Sequence, residues 1–229
     1  MTSSTARVRI GCIVPAAGMS RRMGHPKATL PFGGSTVVGT VVRALLEAGS
    51  GEILVVTRGE LVVQLDLPHD RRVTVALNDD AESEMIDSVR IGLSVLLSRI
   101  VEDGCGPRES SAINNRRSTV EDRPLQPASG GILVVPADMP AVTADSYRKC
   151  FDAFRLDPGR IVIAACRGRR GHPVIFPISL APNLDRLTGG LKELVDANSA
   201  CVALVETNDP GVLRDVDTLA DYECLDPKS

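Results

Sequence analysis

Val8-Arg9-Ile10-Gly11-Cys12-Ile13-Val14, running directly into Pro15-Ala16-Ala17-Gly18-Met19-Ser20-Arg21-Arg22-Met23-Gly24-His25-Pro26-Lys27, is the stretch on which the fold turns. Its first part is a short apolar run rich in β-branched residues and reads as a core strand. Its second part combines glycines with the cations Arg21, Arg22 and Lys27. Glycines let backbone N–H groups come close to an anion, and Arg and Lys neutralise its charge. Beyond it, Ser35 to Ala48 carries apolar residues suited to a helix that stops at Gly49. Strand, loop and helix in that order place the loop at the carboxyl edge of a sheet, where open α/β proteins bind ligands. The loop is not a Walker A sequence, since no G-x-x-x-x-G-K-[ST] fits it, and no G-x-G-x-x-G dinucleotide fingerprint occurs in the chain. A generic loop of Gly and Arg is most often a solvated turn, but the spacing from Gly24 to Lys27 is itself a signature.

Outward from this unit the alternation continues. Ile53 to Thr57, Val73 to Leu77 and Gly131 to Pro136 are apolar strand-like runs, while Ser88 to Ile100 and Ala144 to Phe154 have helical length and spacing. Ile161 to Cys166 and Val174 to Phe176 read as strands around a turn at Arg167 to Gly171. Cys201 to Val205 reads as a further strand and Thr218 to Leu225 as a final helix. Apolar strands alternating with helices predict an α/β fold with a mostly parallel sheet covered on both faces. Residues 102–130 are dominated by Ser, Asn, Arg, Asp, Pro and Gly without periodicity. The expectation is one domain over 1–229 with a mobile insertion at 102–130, either a lid or, as composition favours, a dispensable segment.

The 229 residues are 43% hydrophobic and 24% charged, enough for a core that buries about 70–75% of the unfolded surface without disulfides or structural metal. Lys and Arg number 26 against 29 Asp and Glu, scattered along the chain for a net charge of −3. That balance argues against broad nucleic-acid or membrane-surface binding. Trp is absent, with only four Phe and two Tyr, which removes base-stacking surfaces for single strands. Cysteines at 12, 105, 150, 166, 201 and 224 never form C-x-x-C, and most lie in apolar runs. They predict a reduced, cytoplasmic protein. The amino-terminal apolar run is far too short to cross a bilayer, and no signal peptide is expected.

The loop resembles the G-x-S-x-R-M-G-x-x-K loop of the MobA-like nucleotidyltransferases. Pro15-Ala16-Ala17-Gly18 is more similar to their cytidylyltransferase branch, where Ala-Ala-Gly replaces the Ala-Gly-Gly of the guanylyl branch. The resemblance continues in order. Asn78 and the run Ser83-Glu84-Met85-Ile86-Asp87-Ser88-Val89-Arg90-Ile91-Gly92-Leu93 resemble the family's Asn, Gly-Met and Ser-hydrophobic-x-x-Gly segment. Pro136-Ala137-Asp138-Met139-Pro140 resembles its G-D-M-P metal loop. Gly168-Arg169-Arg170-Gly171-His172-Pro173-Val174 is similar to R-x-G-H-P-V, and Asp215-Val216-Asp217-Thr218-Leu219-Ala220-Asp221-Tyr222 to D-x-D-T-P-x-D-hydrophobic. Departures are Ala137 for Gly before the acid, Ser83 for a Gly, and Thr188-Gly189-Gly190-Leu191-Lys192 in place of L-x-G-D-x-G-A-[RK]. The nucleotide half is therefore intact, and the acceptor half is altered.

The resemblance implies a Rossmann-like three-layer α/β/α sandwich of the nucleotide-diphospho-sugar transferase type. It implies transfer of CMP from CTP to a phosphorylated acceptor, molybdopterin carrying molybdenum, giving the cytosine dinucleotide cofactor and pyrophosphate. A molybdoenzyme or its maturation chaperone would be the downstream partner. Such a transfer needs positioning and neutralisation of phosphate oxygens more than a strong base. Lys27 is assigned to the α-phosphate and Arg21 or Arg22 to the β,γ-phosphates, with Lys27, Arg21 and Asp138 as the catalytic set. Ala16, Ala17, Gly18, Met19, Ser20, Arg21, Arg22, Lys27, Asn78 and Ser88 would bind nucleotide. Asp138 and Asp217 would hold Mg²⁺ (or Mn²⁺), an ion that takes oxygen ligands.

Each assignment has a plainer rival. Asp138 could open the following helix, but Thr143 is better placed as its cap. Asp215 and Asp217 could be turn or cap residues, and Asp215 fits that reading better. His172 is as often a satisfied core histidine as a contact to the acceptor. His25 and His69 lack any zinc-spaced cluster, and Ser20 and Ser88 lack triad partners. The rival functions are GTP in place of CTP, a polyol or sugar phosphate acceptor, and a non-catalytic nucleotide or cofactor carrier. Retention of Lys27 with both acids argues for catalysis over carriage.

Overall fold

The computed structural model describes residues 8–18, 25–104 and 130–225, with backbone alone over 100–104. Met19, Ser20, Arg21 and Arg22, named above for the nucleotide, lie outside these residues, as does 105–129 of the expected insertion. Strand β1 (Arg9–Pro15) is followed by a small hairpin, β2 (Pro31–Phe32) and β3 (Ser35–Thr36), then helix α1 (Val37–Glu47). The hairpin takes up the start of the expected helix. Thr36 ends it and caps the helix, its side chain accepting from the backbone N–H of Gly39. The helix stops where expected, because Gly49 takes a φ of 86° that a side chain resists.

Strands β4 (Glu52–Thr57) and β5 (Val73–Leu77), helix α2 (Met85–Gly104), strand β6 (Gly130–Val134) and helix α3 (Ala144–Leu156) follow. Then come β7 (Ile161–Cys166), β8 (Arg169–Pro177), α4 (Gly190–Ala197), β9 (Val202–Glu206) and α5 (Leu219–Leu225). The seven long strands form one sheet in the order β5-β4-β1-β6-β8-β7-β9. Every neighbouring pair is parallel except those made by β8, which runs antiparallel to both β6 and β7. This is the mostly parallel α/β architecture expected.

The central strands are largely apolar because both of their faces are covered, and their side chains alternate between two cores, whereas the edge strands β5 and β9 are partly exposed. Ile10, Cys12 and Val14 of β1, Ile53 and Val55 of β4, and Leu133 of β6 belong to the core under α1 and α3. Their neighbours Ile13, Leu54, Val56, Ile132 and Val134 belong to the core under α2 and α4.

Three expectations are corrected. The turn expected over Arg167–Gly171 is only Arg167-Gly168, with φ of 52° and 73°, and the strand resumes at Arg169. Paired positive φ angles of this kind close a two-residue hairpin without splaying its strands, so His172 sits within β8. Helix α2 runs on to Gly104 and β6 opens at Gly130, which takes both borders of the insertion into regular structure. Helix α4 was not foreseen. The Thr188–Lys192 departure runs from just before this helix into its first turn, and the Glu193 carboxylate accepts from the N–H groups of Thr188 and Gly189.

Candidate active site

Parallel pairing of β1 with β4 and β6 brings the loops after these strands together at one sheet edge. The turn after β1 is tied to both neighbours. Ala16 N–H donates to the Val56 carbonyl at 2.7 Å, and Ala137 N–H donates to the Pro15 carbonyl at 3.1 Å. Thr57, wholly buried at the end of β4, donates its hydroxyl to the Ala16 carbonyl at 3.3 Å. The Ala16-Ala17-Gly18 backbone is thereby held as one wall of a cleft, with Pro136, Ala137 and Asp138 as the next. Ser83, Glu84, Met85 and Ser88, at and before the start of α2, form the third wall, and Lys27 and Ala28 close the floor.

Lys27 opens a single 3₁₀ turn and reaches two acids from distant parts of the chain. Its Nζ lies 2.5 Å from Asp217 Oδ1 and 3.5 Å from Asp138 Oδ2. Burial works against the ammonium, yet the Asp217 hydrogen bond and the charges of Asp138 and Asp217 outweigh it and hold Lys27 above the usual lysine range. Burial also pushes the Asp138 carboxyl above the ordinary aspartate range, with Lys27 pulling against it and the charge of Asp215 adding to it. One lysine thus faces a carboxylate that its surroundings only partly compensate.

The two acid loops are stitched together. Val216 N–H donates to the Asp138 carbonyl at 2.8 Å. Gly211 lies so close to the loop after Asp138 that a Cβ there would meet the Ala141 carbonyl oxygen at 2.1 Å. The side chain of Asp209 accepts from Thr143 N–H, Thr143 Oγ1 and Ser146 Oγ at the start of α3, and from Gly211 N–H. Thr143 caps α3 and Thr218, bonded to Asp221, caps α5. Neither Asp138 nor Asp217 is therefore spent as a helix cap.

Among the described residues no group of three or more His, Cys, Asp and Glu side chains is gathered as a metal centre. The pair Asp138 and Asp217 still suits Mg²⁺, which binds through one or two carboxylates, retains waters and completes its shell with phosphate oxygens. Both acids present a carboxylate oxygen to one point, now held by the Lys27 ammonium, and Asp138 lines the cleft while Asp217 does not.

Asn78 is buried and does not line the cleft. Its Nδ2 donates to Ser88 Oγ at 2.9 Å, so it orients Ser88, which does. His172 is absent from the lining as well. Burial draws its imidazole below the usual histidine range, against the charge of Asp215 and a backbone hydrogen bond to Val134. Its Nδ1 is buried without a partner among the described residues. The sequence reading did not name Ser83, Glu84 and Met85 as site residues although it quoted their segment. Met85, a large apolar side chain left 43% exposed at a helix start, is the feature that marks them.

The family of MobA-like NTP transferase domains matches residues 12–202. The chain is 25% identical to purine catabolism protein PucB of Bacillus subtilis, covering 92% of each chain. It is 23% identical to nicotine blue oxidoreductase of Paenarthrobacter nicotinovorans, covering 90% of this chain and 91% of the relative. The crystal structure of Rv0371c from Mycobacterium tuberculosis superposes with a TM-score of 0.71 at 26% identity, covering 98% of both chains. A manganese complex of Rv0371c matches at a TM-score of 0.64 and 25% identity, over 97% of this chain and 100% of that one. With the family spanning most of the chain and the sheet and cleft arranged as above, the chain is a nucleotidyltransferase that belongs to the MobA-like NTP transferase domain family.

Proposed function

We propose that the enzyme transfers CMP from CTP to the phosphate of molybdopterin carrying molybdenum, releasing pyrophosphate. The observation that carries this reading is the meeting of Lys27 with Asp138 and Asp217 beside the Ala16-Ala17-Gly18 turn. The acceptor phosphate is already largely dianionic near pH 7, its second pKa being about 6, so no strong general base is needed. Lys27 neutralises the α-phosphate as negative charge builds there, and Arg21 or Arg22 takes the β,γ-phosphates that leave as pyrophosphate. The backbone from Ala17 to Ser20 orients the nucleotide, Ser88 contacts it, and Asn78 holds Ser88. Asp138 and Asp217 would hold Mg²⁺ or Mn²⁺, which when bound would neutralise phosphate charge; the manganese complex of Rv0371c supports that choice of ion. His172, expected at the acceptor, is buried within β8 and off the cleft lining, and is given no acceptor contact in this reading.

Preference for CTP follows from Ala17, whose methyl narrows the wall where the guanylyl branch has Gly. One such shape difference is worth about 1–3 kcal/mol. The enzyme would work in the cytoplasm and pass its product to a molybdoenzyme or its chaperone. No described helix is long and apolar enough to cross a membrane. The test is pyrophosphate release with each of the four nucleoside triphosphates and Mg²⁺, using molybdopterin, a polyol phosphate and a sugar phosphate as acceptors. The reading expects the highest kcat/KM with CTP and molybdopterin. Equal efficiency with GTP removes the donor assignment, and turnover only with a polyol or sugar phosphate removes the acceptor.

A further inference from the structure

We propose that Lys27 is a counter-ion which a divalent cation displaces from Asp138 and Asp217, and that the displacement delivers its ammonium to the nucleotide phosphates. This rests on the metal assignment made above. One nitrogen touches both acids, at 2.5 Å from Asp217 Oδ1 and 3.5 Å from Asp138 Oδ2. Lys27 is the least exposed of the three, its side chain 15% accessible against 26% for Asp138 and 50% for Asp217. The lysine is therefore the most shielded of the three, and of the two acids Asp138 lines the cleft with it.

A cation of charge two bound to the same oxygens at about 2.1 Å would stand within a few ångströms of the ammonium. Like charges at that distance in a partly dry site repel strongly. The lysine has somewhere to go. It stands on a short 3₁₀ turn, its stem has four freely rotating carbons, and the cleft it borders is lined by Ala17 and Gly18. Displaced there, the ammonium meets the position proposed for the α-phosphate. The acids thus exchange one cation for another, and the released one is used by the substrate.

Two consequences follow. Metal alone binds weakly, because it must first break the lysine pair. Metal and nucleotide phosphate bind with positive coupling, since each provides a partner for a group the other sets free, and such coupling is reciprocal.

The experiment measures Mn²⁺ affinity by electron paramagnetic resonance, without nucleotide, for wild type, Lys27→Met, Asp138→Asn and Asp217→Asn. It is paired with peptide-mapped acetylation of Lys27 in wild type with and without Mg²⁺. The proposal expects Lys27→Met to bind Mn²⁺ at least about fivefold tighter than wild type, the lower end of ordinary couplings. It also expects Lys27 acetylation to quicken when Mg²⁺ is added. The acetylation arm needs no variant, so a misfolded Lys27→Met does not spare the proposal. Unchanged or weaker Mn²⁺ binding by a folded Lys27→Met, or Lys27 acetylation that fails to rise, overturns the exchange. If the Asp→Asn variants meanwhile lose Mn²⁺ affinity, the metal site itself stands. Mn²⁺ binding that neither Asp→Asn variant alters overturns the metal assignment, and the exchange with it.

Discussion

Burial pushes the Asp138 carboxyl above the ordinary aspartate range, so a negative charge there is costly. Asp138→Asn removes the charge and keeps the shape, relieving the burial penalty while breaking only the longer of the two Lys27 contacts. The variant is therefore expected to fold, with a melting temperature close to wild type. Transfer should nevertheless fall at least about a hundredfold, the scale of losing one preorganised electrostatic contact. Transfer by Asp217→Asn should fall on the same scale, although this variant breaks the closer Lys27 contact, and initial rates against Mg²⁺ concentration check both; a near-normal rate and metal dependence in either removes that residue from the site. The thiols divide as sharply. Burial pushes Cys12 and Cys150 up to about 12, so neither supplies thiolate at neutral pH, whereas Cys201 and Cys224 are exposed. Alkylation of the native protein at pH 8 followed by peptide mapping should mark Cys201 and Cys224 within minutes and leave Cys12 and Cys150 untouched until denaturant is added.

At the level of elements, the site depends on how closely two loops approach. Gly211 is pressed against the Ala141 backbone, and Val216 N–H holds the Asp138 carbonyl. Gly211→Ala should push the Asp138 and Asp217 loops apart. The expected outcome is a loss of about 1–3 kcal/mol, the usual cost of overpacking, together with weaker metal dependence of transfer. Urea unfolding and rate measurements on the same preparation check this. The β7–β8 hairpin carries the opposite case. Arg167 adopts φ of 52°, a region costly for a residue with a long side chain, and the Glu206 carboxylate accepts from the N–H groups of Arg167 and Gly168. Asn accepts that conformation more readily and favours such turns. Arg167→Asn is expected to stabilise the protein by roughly 0.5–1 kcal/mol without altering transfer, and a melting temperature that falls would count against the strain.

For the whole molecule, Asp209 joins the start of α3 to the segment that leads to Asp217. Partial burial raises its carboxyl, but hydrogen bonds from Ser146, Thr143 and Gly211 prevail and hold it below the ordinary aspartate range. Its contribution to stability is therefore complete above the unfolded value near about 4. It is lost as pH falls through the lower folded value, because the unfolded chain takes up the proton first. Urea unfolding of wild type and Asp209→Asn should show a clear stability gap at pH 7 that narrows steadily below about pH 4; a gap independent of pH would count against the linkage. Much of this architecture was legible in the residues themselves. The apolar runs of β1, β4 and β6, the stop at Gly49 and the Thr143 cap each record burial or capping within a few positions of chain, which is where propensity and periodicity act. The Ala16-Ala17-Gly18 turn was legible for the same reason, as a glycine-bearing loop at a strand end. The antiparallel insertion of β8, the support of Ser88 by Asn78 and the placing of His172 within a strand were not. The family resemblance gathered Lys27, Asp138 and Asp217 into one site, but the direct pairing of the lysine with acids 111 and 190 positions away was not read. Those depend on strand order and on how closely the Asp138 and Asp217 loops approach, and local spacing holds no record of distances that only the assembled sheet creates.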